Sequence, residues 1–244
     1  IEKIFKSVEI KAVIFIYYFG LWSNINPLLK LCKNYNINLI EDCSHGFQTK
    51  LDNQKIGTFG DITIYSFRKV LPCSDGGALK LNNFNSEKYP VSSRFSIKDD
   101  FFYLISRMVE IFARNILQLN TYSRKFILLK NKFRILFLKH EKKNRNKLII
   151  PKRNYSFLLN IFLNNKSYLA ENLSRRNKNF NFLLEEVKLI GLKPFIKSIQ
   201  KTSSPQFFII EDFNGGLAEW LRENGVGAMK WPGEELLKKL SYLQ

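Results

Sequence analysis

The sequence predicts an α/β fold, in which a partial sheet of mixed or mostly parallel strands is flanked by helices and followed by a small α+β C-terminal domain. The first observation is a strand–helix–strand unit: an apolar run at 12–19, a helical apolar stripe at 26–35 and a second apolar run at 37–41. Such a unit pairs its strands in parallel through a right-handed crossover. The second observation is the strand–helix–strand order of the segments 207–211, 216–224 and 227–231.

The elements of the N-terminal part each follow from a local pattern. The run 12–19 is continuously apolar and rich in β-formers, which predicts a strand buried on both faces. Asn26 and Pro27 are typical of a helix cap and of the first helical position. Residues 62–65 alternate isoleucine with threonine and tyrosine, which predicts a strand, and 78–81 predicts another after a loop rich in proline and glycine.

The middle of the chain has a different character. The predicted helices at 101–119 and 121–140 both mix large apolar residues with basic ones. This pattern favours helices that pack on the sheet or at a subunit interface, and the alternative is a basic amphipathic surface in contact with anionic lipid. We therefore place residues 1–165 in a partial large domain with a helical basic insertion at about 90–150, and residues 166–244 in a linking helix and a partial small domain.

Composition narrows the classes of function. The formal net charge of +18 suggests a nucleic-acid or anionic partner, but lysine, asparagine, isoleucine and phenylalanine are all abundant, and the charge is spread along the chain. A compositional bias is the better explanation, so we expect no nucleic acid as partner. Cys32, Cys43 and Cys73 lack the spacing of metal ligands, so we expect no metal site. Three reduced thiols, no signal peptide pattern and no apolar run of membrane-spanning type indicate a cytoplasmic protein without a transmembrane segment.

The candidate site combines two neighbouring stretches. An apolar strand ends in Asp42 and His45, and a later loop contains Lys69 shortly after Ser66. In open α/β sheets, ligands bind beyond the carboxyl ends of strands. A pyridoxal phosphate site needs these residue types: a lysine for the Schiff base, an acid for the pyridinium nitrogen and small polar groups for the phosphate.

Over residues 10–82, the chain resembles the DegT/DnrJ/StrS-type sugar aminotransferases, which belong to the fold-type I pyridoxal phosphate superfamily. Each matching segment is short, but all occur in order and with family-like spacing. The segments are Lys11–Ile14, Tyr18–Gly20, Ile40–His45, Gly57–Asp61 and the lysine loop Ser66–Gly77. The resemblance implies a large domain of the pyridoxal phosphate-dependent transferase type. It also implies that the chain is a fragment without the N-terminal part that supplies phosphate-binding backbone donors.

The resemblance assigns a role to each site residue. It implies that Lys69 forms the Schiff base and then moves a proton between substrate and cofactor, for which we expect partial burial to favour the neutral amine. Asp42 would hold the pyridinium nitrogen protonated, and His45 would lie near the phenolic oxygen of the cofactor. Ser66 would bind the phosphate, although fewer residues separate it from the lysine than is common in the family. Arg176, with the arginine before it, resembles an arginine pair in the family's linking helix.

The function implied by the resemblance is an aminotransferase that moves an amino group from glutamate to a nucleotide-linked keto sugar, in polysaccharide or related glycan biosynthesis. The family also implies a homodimer, because its sites are shared between subunits. Two alternatives remain open. One is a non-catalytic, truncated remnant that keeps the fold, and the other is a basic amphipathic protein that binds surfaces, including membrane surfaces, through residues 101–153.

Overall fold

The computed structural model describes residues 1–21, 23–51, 53–84, 97–122, 125–128 and 156–231. The chain divides into two compact units: residues 1–103 together with 151–211, and residues 104–150 together with 212–244. The candidate site residues all lie in the first unit. The domain division drawn from the sequence, at residues 165 and 166, stays a prediction.

A four-stranded sheet forms the centre of the first unit. Its strands are β1 (Ala12–Ile16), β2 (Asn38–Asp42), β5 (Ile62–Ser66) and β6 (Gly77–Leu81), in the order β1-β2-β5-β6. The pairs β1–β2 and β2–β5 are parallel, and β5–β6 is antiparallel. The prediction of a mixed, mostly parallel sheet is therefore confirmed. A two-residue hairpin, β3 (Lys50–Leu51) and β4 (Gln54–Lys55), lies apart from this sheet.

The helices that the structure describes follow the predicted pattern in three places. Helix α2 (Asn26–Asn34) connects β1 to β2 and begins with the predicted Asn-Pro pair. Helix α3 spans Ile97–Asn115, and helix α5, at the position of the predicted linking helix, spans Lys166–Leu189. The remaining helices are α1 (Glu2–Ser7), α4 (Phe157–Asn164) and α6 (Leu217–Glu223). Most of the predicted helix 121–140 lies outside the described residues, as does much of the proposed surface-binding region 101–153.

The sheet buries one face only, which corrects the prediction for the run 12–19. Leu39 lies on the buried face, where Ile25 and Cys32 also belong to the core. On the opposite face, Ile14 is 59% and Leu79 58% exposed. The strand β1 also ends at residue 16. A continuous apolar run does not reveal which face is covered, because covering depends on the helices that other parts of the chain supply.

The predicted C-terminal strands do not form in the structure. Residues 207–211 contribute one isolated antiparallel bridge, between Ile210 and Pro194, and residues 227–231 form no strand. Phe208 packs against Phe180 of α5 instead, with ring centroids 5.0 Å apart. Strand formation needs a hydrogen-bonded neighbour, and a β-prone local sequence does not supply one. A small α+β domain at the C-terminal end is therefore not confirmed.

Glu41 is the one acidic residue of β2 that the sheet encloses completely, with no exposed surface. Its Oε2 accepts hydrogen bonds from the Tyr17 hydroxyl at 2.9 Å and the Gly57 N–H at 2.8 Å. Its Oε1 accepts from the N–H groups of Phe59 at 2.8 Å and Gly60 at 2.7 Å. The carboxylate thus joins β2 to the turn before β5. Its proximity also helps to raise the pKa of Tyr17 far above its usual value, an effect that burial dominates.

Among the helices built from described residues, none combines the length and the apolar character that a membrane crossing requires.

We expect Glu41→Gln to destabilise the first unit strongly. The amide nitrogen would face N–H or O–H donors, and leaving buried partners unsatisfied costs about 3 kcal/mol or more in the free energy of unfolding. Urea unfolding followed by circular dichroism measures this loss. Glu171→Gln is the matched control, because Glu171 lies on the surface in an ion pair with Arg175, and its loss should stay below about 0.5 kcal/mol. Equal losses in the two variants would contradict the structural role of Glu41.

The three cysteines are free and buried. Burial raises the pKa of the Cys73 thiol to about 11, and it raises the pKa of Cys43 even further. Since the thiolate is the reactive form, a thiol whose pKa is raised stays protonated and unreactive at pH 8. We expect Ellman's reagent to label none of the three rapidly in the folded chain at pH 8 and all three in guanidinium chloride. Rapid labelling of one native thiol would contradict the burial described here.

Candidate functional site

The candidate site lies at the carboxyl edge of the parallel strands. Asp42 is the last residue of β2, and Ser66 is the last residue of β5. A short 3-10 turn, Phe67–Lys69, follows β5 directly and ends in the lysine. Because neighbouring parallel strands end at the same edge, the register of β2 on β5 brings these residues to one side of the sheet.

Lys69 and His45 are in direct contact. The distance from Lys69 Nζ to His45 Nε2 is 3.2 Å. On the other side of the ring, the backbone N–H of Phe19 donates to His45 Nδ1 at 3.3 Å. A backbone N–H can only donate, so Nδ1 is the acceptor, and the neutral ring carries its proton on Nε2. That proton faces the lysine amine, so Nε2–H donates a hydrogen bond to Nζ when the amine is neutral, whereas two donors oppose each other when it is an ammonium group.

The surroundings of His45 favour its neutral form. Burial lowers its pKa, the charge of Lys69 lowers it further, and the carboxylate of Asp42 acts in the opposite direction. The folded chain therefore binds a proton at His45 less readily than the unfolded chain does. As the pH falls through the ordinary histidine range near 6.5, the unfolded state gains protons first, and this residue's contribution to stability is lost.

Asp42 keeps one carboxylate oxygen available. Its Oδ1 accepts a hydrogen bond from the Ser44 N–H at 2.9 Å, and Oδ2 accepts none from the residues that the structure describes. Asp42 and Ile16 are register partners, so the aspartate lies on the exposed face of the sheet, opposite to the buried Glu41. The aspartate thus acts on His45 through its charge while one oxygen remains open to a ligand.

The other two predicted residues differ in their surroundings. Ser66 is half-buried, and its side chain does not cap the turn that follows it. Lys69 is exposed, so the partial burial expected from the sequence is not observed. The structure thus brings Lys69 and His45 into contact, Asp42 acts on His45 through its charge, and Ser66 lies at the same edge of the sheet. The roles assigned to these residues in cofactor binding stay predictions.

The backbone at Phe19 was not identified as part of the site from the sequence. Phe19 has φ = 62°, which a bulky residue rarely adopts, and this conformation directs its N–H toward His45. Gly20 follows with φ = 75°, and a Cβ there would lie 2.0 Å from the Ser204 carbonyl oxygen. The available signal was Gly20 itself, since the close approach of two loops at this point excludes any side chain.

Comparisons with known proteins identify similar sequences and similar folds. The model of the DegT/DnrJ/EryC1/StrS aminotransferase family matches residues 1–98. GDP-perosamine synthase of Vibrio cholerae is 35% identical over 75 residues, which are 30% of this chain and 20% of that protein. The UDP-4-amino-4,6-dideoxy-N-acetyl-beta-L-altrosamine transaminase of Campylobacter jejuni is 34% identical over 79 residues, which are 32% of this chain and 21% of that protein. The similarity thus spans about a fifth of each of these relatives.

Two solved structures are similar over nearly all of this chain. Helicobacter pylori PseC, an aminotransferase involved in the biosynthesis of pseudoaminic acid, has a TM-score of 0.52 at 16% identity, over 96% of this chain and 56% of that chain. Escherichia coli GDP-4-keto-6-deoxy-D-mannose-3-dehydratase, solved with bound hydrated PLP, has a TM-score of 0.50 at 17% identity, over 99% of this chain and 59% of that chain. At these identities the likeness concerns the fold alone. Residues 1–98, which contain every predicted site residue, match the model of the DegT/DnrJ/EryC1/StrS aminotransferase family.

Proposed function

We propose that the chain is a pyridoxal phosphate-dependent aminotransferase that transfers an amino group from glutamate to a nucleotide-linked keto sugar in polysaccharide or glycan biosynthesis. The observation that carries this proposal is the contact of 3.2 Å between Lys69 Nζ and His45 Nε2 at the carboxyl edge of the sheet. Its position inside the family match adds support. The names of the relatives, which are sugar transaminases and a perosamine synthase, favour the substrate class.

The residues at this edge fit pyridoxal phosphate in their chemistry. Lys69 offers an exposed primary amine, Asp42 offers a carboxylate oxygen without a described partner, and Ser66 offers a hydroxyl at the end of β5. When bound, this cofactor supplies an electron sink that stabilises negative charge at the carbon that loses a proton.

Each residue has a task that follows from its position. Lys69 would hold the cofactor covalently through Nζ and would move a proton between substrate and cofactor. His45 would donate Nε2–H to the neutral Lys69 amine and would lie near the phenolic oxygen of the cofactor. Asp42 would hold a proton at the ring nitrogen of the cofactor through a charge-assisted hydrogen bond. Ser66 would donate its hydroxyl to the phosphate.

The proposal extends to the assembly and to the location. The amino donor and the homodimer rest on the family resemblance, and the homodimer would complete a site shared between subunits. The cytoplasmic location rests on the sequence, in which three cysteines are expected to be reduced and no signal peptide pattern occurs. The competing hypothesis is a truncated remnant that keeps the fold but does not catalyse amino transfer. Cofactor trapping at Lys69 distinguishes this remnant from an active aminotransferase.

Incubation of the purified chain with pyridoxal phosphate, followed by borohydride reduction and peptide mapping, tests the central role of Lys69. We expect one label per chain, on Lys69, because the His45 imidazole lies 3.2 Å from its Nζ and can orient the cofactor. Lys69→Ala should lose the label and its visible absorbance. Lys33→Ala, which changes a lysine at the end of α2, should retain both.

Labels spread over several lysines, without a visible absorbance band, would contradict the proposed function and favour the remnant.

Asp42→Asn tests the role of Asp42 in amino transfer separately from covalent binding of the cofactor at Lys69. An amide cannot hold the proton at the ring nitrogen as a carboxylate does, so amino transfer should slow at least about 100-fold. Labelling of Lys69 should persist, because the asparagine is nearly isosteric and Lys69 itself is unchanged. The single-turnover rate of cofactor conversion with excess glutamate measures the effect. Amino transfer at the original rate would contradict the role of Asp42.

A further inference from the structure

The turn that carries Lys69 ends in backbone carbonyls that accept no hydrogen bond from within the turn. In this turn, the N–H groups of Val70 and Leu71 both bond to the Phe67 carbonyl. The last carbonyls of a helical turn have no partner within it and require one from elsewhere. For Lys69 and Val70, these partners come from residues more than 100 positions away in the sequence.

Gln206 binds both sides of the Lys69–His45 contact. Its side-chain Nε2 donates to the Lys69 carbonyl oxygen at 2.7 Å. Its backbone N–H donates to the Phe19 carbonyl oxygen at 2.8 Å, and the Phe19 N–H in turn donates to His45 Nδ1 at 3.3 Å. With the contact of 3.2 Å between Lys69 and His45, these hydrogen bonds close a ring through Lys69, His45, Phe19 and Gln206. Phe207 packs edge-on against the His45 ring, with centroids 5.7 Å apart.

Arg176, in the middle of α5, also donates a hydrogen bond to this turn. Its Nη2 donates to the Val70 carbonyl oxygen at 2.8 Å, and its Nη1 donates to the Pro205 carbonyl oxygen at 3.2 Å. Its Nε donates to Asn172 Oδ1 at 2.8 Å. These partners are neutral oxygens, and burial lowers the pKa of the guanidinium. The guanidinium is thus half-buried, and neutral oxygens accept its three hydrogen bonds.

The neighbouring arginine provides an internal comparison. Arg175 points to solvent, where it pairs with Glu171, and its side chain is 70% exposed. Only Arg176 of the pair reaches the lysine turn and the segment that contains Gln206. One helix position therefore connects the lysine turn to the segment that contains Gln206.

We infer that Gln206 and Arg176 are positioning residues, which hold the backbone of the Lys69 turn so that Lys69 Nζ meets His45 Nε2. The inference rests on the proposed function only in naming Lys69 as the reactive amine. Gln206 sets the distance between the lysine turn and Phe19, and Arg176 joins the turn to the segment before Gln206. Displacement of the turn by about 1 Å would open the lysine–imidazole contact, and such shifts reduce reaction rates by up to about 100-fold.

The test uses the titration of His45 in the cofactor-free chain, followed by nuclear magnetic resonance. The chain contains two histidines, His45 and His140, so His45→Gln assigns the signals. The charged groups that act on His45 are Lys69, which lowers its pKa, and Asp42, which raises it. Gln206→Met keeps the side-chain length and removes the donor. As the ammonium group withdraws, the midpoint of His45 should rise by about 0.5 pH unit.

Two controls separate positioning from a general loosening of the fold. Gln54→Met alters an exposed glutamine that bonds to Thr58 and should leave the His45 midpoint unchanged. In a Lys69→Met background, Gln206→Met should cause no further shift, because its effect passes through the lysine. An additional shift in the double variant would indicate a merely structural effect and overturn the inference.

Arg176 is tested in the same way. Arg176→Lys keeps the charge but cannot bind the carbonyls of Val70 and Pro205 together, so the His45 midpoint should rise, whereas Arg175→Lys should leave it unchanged. The rate of pyridoxal phosphate trapping at Lys69 should fall about tenfold in Gln206→Met. Unchanged midpoints in a folded Gln206→Met chain would overturn the inference. Failure of the unaltered chain to trap the cofactor would instead overturn the proposed function, and the titration result would stand.

Discussion

The structure of the first unit depends on the buried carboxylate of Glu41. Four donors converge on it, from the Tyr17 hydroxyl and from backbone N–H groups of the turn at residues 57–60. A carboxylate without exposed surface is tolerated only when such donors surround it. These bonds fix the turn that leads into β5. Because side chains alternate along a strand, Glu41 on the inner face also places Asp42 on the outer face.

This alternation connects folding to the site. The two adjacent acids of β2 differ in their surroundings. Glu41 accepts hydrogen bonds in the core, and Asp42 lies on the exposed face, at the edge where a ligand can approach. The inner acid needs every oxygen lone pair satisfied by protein, while the outer acid uses one oxygen for the Ser44 N–H and keeps the other available. A shift of one residue in the register of β2 would exchange their faces, so the core interactions of Glu41 also protect the position of Asp42.

The site is assembled from four separated stretches of the first unit: the turn at 17–20, the end of β2 with His45, the lysine turn, and the segment 203–207. Backbone groups supply much of the connection, since Gln206 N–H bonds to the Phe19 carbonyl and Ser204 N–H to the Gly20 carbonyl. Gly20 permits this close approach. The left-handed conformation of Phe19 is unfavourable for a bulky residue, and it persists because the surrounding hydrogen bonds determine it. Strain at this point therefore serves to direct one N–H group at one imidazole nitrogen.

The amino-acid sequence by itself determined the order of the strands and of the first crossover helix along the chain, because apolar periodicity is a local signal, and its short motifs predicted Asp42, His45, Ser66 and Lys69 as candidate site residues. It did not determine which face of β1 is covered, or that residues 207–211 pack on α5 without forming a strand, since both depend on distant segments. Only the tertiary structure showed the Lys69–His45 contact and the hydrogen bonds from Gln206 and Arg176 to the lysine turn. The hydrogen bonds from Gln206 and Arg176 join residues more than 100 positions apart, and they end on backbone carbonyls of the lysine turn, which every residue type presents alike. For that reason no pattern of side chains along the sequence could have predicted these hydrogen bonds.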